Sequence, residues 1–163
     1  MKKINFRRGD KIVDYGRVYR IFKVDTPQKA SEDRILHFRP YFNSSKNGEM
    51  VCSIPSKNID KTKIRKPINN IELKKVFQIL KNNPKNDVDT NNAKEILGEN
   101  KPKKTAEIIR GLWLEKTDED KHFTRTKKQA FKHLITRLSE EIAFVKDTTP
   151  EKAEESIRRA LKA

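Results

Sequence analysis

Apolar residues recur along this chain in two different rhythms. In the N-terminal part, short runs rich in β-branched and aromatic residues, 11–13, 17–24, 34–42 and 50–54, read as strands. Between them Gly9-Asp10, Asp14-Tyr15-Gly16, Thr26-Pro27 and the 43–48 stretch supply the left-handed or fixed-φ positions that reverse a chain. A small antiparallel sheet or barrel is the simplest product. After Lys66-Pro67 the apolar spacing changes from two to about 3.6 residues, the mark of helices. Leu73, Val76, Phe77 and Leu80 predict a first helix ending at Asn82-Asn83-Pro84, and Ala93, Ile96 and Leu97 a short second one closed by Gly98. Pro102 opens a third, which runs to Trp113 or a turn beyond. Ala130, Phe131, Leu134, Leu138, Ile142 and Val145 mark a long fourth after Thr124. Thr149-Pro150 starts a fifth, with Ala153, Ile157 and Leu161 inward. The expected fold class is α+β: residues 1–67 a small antiparallel β barrel, residues 68–163 a five-helix domain.

Composition sharpens this picture. Hydrophobic residues are 34% and charged residues 37%, so the apolar positions are confined to narrow stripes of a soluble, folded protein. The formal charge is +15, which suits a polyanionic partner such as nucleic acid. It is concentrated in two places: residues 1–67 hold 17 basic and 7 acidic side chains, and residues 101–137 hold 11 and 5. A single cysteine, Cys52, excludes an internal disulfide, and no Cys/His cluster has zinc spacing. With no apolar run of membrane-spanning length and no apolar stretch after Met-Lys-Lys, a cytoplasmic, nucleoid-associated protein is expected.

Reactive constellations are sparse. Five glycines leave no phosphate-cradling loop, and His37, His122 and His133 fall on a strand, a loop and a helix. No enzymatic activity, cofactor or small-molecule substrate is expected. Glu140-Glu141 and Glu154-Glu155 are adjacent on helices, diverge by about 100°, and read as solvated faces. Trp113 shares a face with Ala106 and Ile109 and reads as a core anchor. The basic residues Lys101, Lys103, Lys104, Lys121, Arg125, Lys127, Lys128 and Lys132, with Arg137, cluster at the start of the third helix and the first half of the fourth. That placement presents positive charge to phosphates, and with no base-reading set of Arg, Asn and Gln it predicts duplex DNA bound through its backbone.

Taken in order, Phe6-Arg7-Arg8-Gly9-Asp10-Lys11-Ile12-Val13, Ile54-Pro55, Asn58 and Ile64-Arg65-Lys66-Pro67-Ile68 resemble the N-terminal domain of CarD/CdnL-type bacterial transcription regulators. The runs 73–80 and 106–113, with Leu138 and Glu141-Ile142-Ala143, are similar to that family's helical signatures. The resemblance implies a Tudor-like barrel that docks on the RNA polymerase β subunit. It further implies a helical domain that contacts promoter DNA at the upstream edge of the bubble and stabilises the open complex. On this reading Arg20, Thr26, Cys52 and Ser53 face the polymerase. Two departures stand out. The family's minor-groove tryptophan before the second helix is replaced by a shortened stretch carrying Asn86, Val88, Asp89 and Asn91, so the apolar wedge is missing. Arginines on two of the family's strands are replaced here at about Pro27 and Ser53. The rival expectation is a DNA- or RNA-binding protein without polymerase contact.

Overall fold

Tyr15 and Gly16 both take positive φ, 50° and 76°, the two-residue geometry that matches the twist of a β-hairpin. They join β1 (Lys11–Asp14) to β2 (Arg17–Asp25), which pair antiparallel from Lys11↔Arg20 to Asp14↔Arg17. The computed structural model describes residues 5–26, 28, 33–42 and 50–163; the turns expected at Pro27 and over 43–48 lie outside the described residues. β3 (Ile35–Pro40) and β4 (Cys52–Pro55) complete a curled antiparallel sheet of order β1-β2-β3-β4. Among the described residues β1 and β4 do not pair, so the expected closed barrel is an open sheet. One reason is that the β1 side is taken by Arg65, whose backbone exchanges two hydrogen bonds with Val13.

Alternation along the strands separates two faces. Ile12, Tyr19, Ile21, Leu36 and Phe38 point inward and are sealed by Phe6, Ile59 and Ile64, with Ile59 supplied by a 3-10 turn at Ser56–Lys61. Beyond Lys66-Pro67 the next buried apolar side chain, Ile68, belongs to the second core.

That core is built by four α-helices: α1 (Asn70–Lys81), α2 (Pro102–Thr117), α3 (Arg125–Lys146) and α4 (Pro150–Lys162). Asn69, Thr124 and Thr149 each accept a hydrogen bond from the third residue on, capping α1, α3 and α4. The second expected helix is instead a 3-10 segment, Ala93–Glu99. It begins and ends at left-handed Asn92 and Asn100, so Asn100 closes it rather than Gly98. Leu80, Ile109, Leu112, Leu134, Ile135, Ile142, Ile157 and Leu161 are fully buried between the helices. Trp113 lies at the margin of this core, half-buried and stacked on Phe131 at 6.4 Å, with the Lys116 ammonium 5.9 Å from its ring centre. No helix among the described residues is long and apolar enough to cross a membrane.

Candidate nucleic-acid interface

The two cores are locked together by a polar seam that no single segment announces. Arg65 donates from Nη1 and Nη2 to both carboxylate oxygens of Glu141 (2.6 and 2.7 Å) and from Nε to the Asn100 carbonyl (2.6 Å). The Ile68 N–H also donates to Glu141 (2.9 Å). Glu141 is 1% exposed, so its charge is sustained by this bidentate pairing. Asn100, also buried, donates to the carbonyls of Val13 and Lys63 and accepts from the Gly16 N–H. Gly16 sits so close to α3 that a Cβ there would lie 3.1 Å from Arg137 Cβ. The hairpin tip is therefore wedged between the 3-10 segment and α3.

Glu140, the neighbour of Glu141, is buried too, at 7% exposure, with Arg17 at 3.6 Å and Arg137 at 3.5 Å. Reading this pair as a solvated face is thereby corrected. The 100° between them directs Glu141 to Arg65 and Glu140 to the hairpin, both into the seam. Burial pushes the Glu140 carboxyl above its ordinary value against the pull of Arg17 and Arg137. A raised folded-state value means that its ionised form costs stability above that value and that the cost vanishes below the ordinary 4.5. Glu140→Gln should accordingly raise the melting temperature at pH 7 and lose that gain as the pH falls through this window. A lower melting temperature at neutral pH would sink the assignment.

The structure divides the expected DNA-binding residues. Arg125, Lys128 and Lys132 recur at i, i+3 and i+7 on α3 and, with Gln129 and Thr136, form one exposed stripe without an acidic residue. Beside them the His133 imidazole is lowered, first by burial and then by the charges of Arg137 and Lys94, two further cations near this flank of α3. Lys127 points the other way. Its ammonium pairs with Glu115 at 2.7 Å, and Thr90 donates to the same carboxylate. Although burial opposes it, these hydrogen bonds and the charges of Lys127 and Lys121 hold Glu115 below the usual carboxylate range. Lys127 thus ties α3 to α2, and Lys121 lies near the same carboxylate. Lys101, Lys103 and Lys104 are exposed at the start of α2, away from the stripe in sequence and on another helix.

The loop between α1 and the 3-10 segment turns two of its side chains inward. Val88 and Thr90 lie against Gly111, where a Cβ would meet them at 3.2 and 3.1 Å. Val88 is half-buried on α2 and does not project toward solvent.

On the sheet, the residues expected to face polymerase separate as well. Ser53 and Arg20 are exposed on the outer face, and Thr26 is exposed just past β2. Cys52 alternates to the inner face, packs against the sheet core, and has its thiol pushed up by burial, which corrects its placement on the contact surface. The outer face carries a row the sequence reading missed: Lys11, Arg20 and Arg39 are cross-strand neighbours on β1, β2 and β3. Like charges placed opposite one another destabilise a sheet in isolation. Arg39 covers the Phe22 ring at 4.6 Å, and His37 links Asp25 (2.8 Å) to Ser53 (2.7 Å) beside it. Among the described residues β4 forms an open edge, preceded by exposed Met50 and Val51. Comparison of the chain with protein-family models and with curated proteins gave no match.

Proposed function

We propose that this chain is a non-enzymatic bacterial transcription regulator of the CarD/CdnL kind. Its N-terminal sheet, a Tudor-like half-barrel, holds the RNA polymerase β subunit, and its helical domain holds double-stranded promoter DNA near the upstream edge of the bubble. The observation that carries this reading is the pairing of two different surfaces on one braced frame: a strand edge at β4 that is open among the described residues and flanked by apolar side chains, and an acid-free basic stripe on α3. An open edge offers unpaired backbone groups to a partner strand, with neighbouring side chains setting the choice of partner. The α3 stripe offers charge without base-reading chemistry, which fits phosphate contact independent of sequence. With no projecting apolar residue at Val88, stabilisation of the open complex rests on phosphate contact plus tethering to polymerase, which raises the effective concentration of a weak DNA contact.

The sheet's outer row of Lys11, Arg20 and Arg39 favours a second reading, in which the β half also binds nucleic acid and polymerase plays no part. Val51→Lys separates the two. A lysine immediately ahead of an exposed edge strand opposes strand pairing while leaving the core untouched. It should weaken capture of the full chain by the cognate β subunit at least about tenfold, a loss of about 1.4 kcal/mol, without changing its affinity for duplex DNA. No capture of the wild-type chain by β subunit would favour the second reading.

A further inference from the structure

The outer face of the sheet carries a second pattern besides its cross-strand row of Lys11, Arg20 and Arg39. Along β3 every other residue points outward, and that line reads His37, Arg39 and, continuing the alternation just past the strand, Tyr41. Phe22 lies beside it on β2, its ring centre 6.3 Å from that of His37 and 4.6 Å from the Arg39 guanidinium carbon. Tyr41 makes T-shaped contacts with Phe42 and Phe144 (4.9 and 5.2 Å) and is still 39% exposed. Aromatic rings and cations therefore alternate across a face on which Arg20, Arg39 and Ser53 are all exposed.

The cationic row works against the fold, because like charges directly opposite one another destabilise a sheet. The nearby carboxylate, Asp25, does not offset it, being engaged by His37 at 2.8 Å and by Lys23 at 3.4 Å. The Arg39 guanidinium lies over Phe22 on one side and is exposed on the other. It is thus a planar cation held in place, on which a nucleic-acid base stacks as it does on an aromatic ring. Alternate residues of a strand stand about 6.7 Å apart, roughly twice the step between stacked bases of DNA. Successive bases can reach His37, Arg39 and Tyr41 only when they are splayed out of their stack, which a duplex does not offer.

We infer that this face binds single-stranded nucleic acid, with bases stacked along His37, Arg39 and Tyr41 and with Lys11 and Arg20 on the phosphates beside them. Stacking of this kind tolerates any sequence and adds what phosphate contact alone lacks, a preference for unpaired strands. The inference rests on the second reading above in placing nucleic acid on the β half. It adds the form of the strand, and it uses the face of the sheet, which leaves the β4 edge free for a protein partner.

Fluorescence anisotropy of a labelled mixed-sequence oligonucleotide of about 15 nucleotides, titrated as single strand and as duplex, tests this. The full chain is used with Arg125→Glu, Lys128→Glu and Lys132→Glu, so that the α3 stripe does not mask the sheet. The single strand should bind at least about tenfold more tightly than the duplex. Arg39→Lys keeps the charge and gives up the plane, and should weaken single-strand binding at least about threefold. Tyr41→Leu, which keeps an apolar side chain against Phe144, should weaken it by about as much. Arg20→Thr should weaken it too without lowering the melting temperature, since it removes like charge from the row. Each variant is compared below its own melting transition. Unchanged single-strand affinity in either Arg39→Lys or Tyr41→Leu would overturn the stacked site. Equal affinity for single strand and duplex would overturn the proposal and leave nucleic acid on the β half. Binding of neither form up to about 0.1 mM would remove the second reading as well, and the polymerase reading would stand.

Discussion

Glu141→Ala should cost about 3–5 kcal/mol of folding stability, because it removes one member of a buried pair and strands the other. At about 2–4 °C per kcal/mol for a chain of this size, the melting temperature should fall by roughly 6–20 °C. The loss has identifiable parts. Arg65 loses both carboxylate oxygens as acceptors, and the buried Ile68 N–H loses its acceptor on Glu141. Replacing both charged partners with apolar groups, Arg65→Met with Glu141→Leu, should recover most of the loss, since it is the uncompensated charge that is costly. A change below about 2 °C for Glu141→Ala alone would show that the seam contributes little.

Arg125→Glu with Lys128→Glu and Lys132→Glu should reduce affinity for duplex DNA by at least about a hundredfold at 0.1 M salt. Each phosphate contact adds about 0.9 to the slope of log affinity against log salt, so three contacts supply nearly three decades at that concentration. The slope itself should fall by about 2.7, and unrelated duplexes should be affected as strongly as promoter duplexes. In a polymerase-promoter complex the same variant should shorten open-complex lifetime while β-subunit binding persists. Lys127 is left out by design. A glutamate there would face Glu115, and any loss of DNA binding would be confounded with separation of α2 from α3. An unchanged slope for the triple variant would remove α3 from the DNA surface.

Local rules made much of this architecture readable. Thr124 and Thr149 stand where caps belong, Pro150 where a missing N–H is harmless, and the steps from Ala130 to Ile142 trace the buried face of α3. The seam was harder to read because each of its members looks ordinary alone. Glu141 beside Glu140 resembles a charged surface, yet it is three residues after Leu138 and four before Val145, on the apolar stripe itself, and that position was the available signal. Lys127 was misplaced for a similar reason, since its partner Glu115 lies in the preceding helix across a loop. Asn100 closes the 3-10 segment through a left-handed backbone that asparagine adopts readily, a role the nearby Gly98 obscured. Cys52 turned inward because it pairs with Phe38 on the core face, and adjacent strand residues such as Cys52 and Ser53 point to opposite faces.

The seam also has a place in the order of folding. Its hydrogen bonds join residues far apart in the chain: Arg65 to Glu141 across 76 positions, Gly16 to Asn100 across 84, and Asn100 to Val13 across 87. The β-hairpin and the α2–α3 and α3–α4 pairs instead close over short loops. Long closures lose more chain entropy before any contact repays it, so the seam is expected to form after both cores exist and to be largely absent from the transition state. Interactions made that late weigh on the rate of unfolding rather than of folding. Arg65, Asn100 and Glu141 then act as a kinetic latch: they govern how long the two halves, once assembled, remain joined.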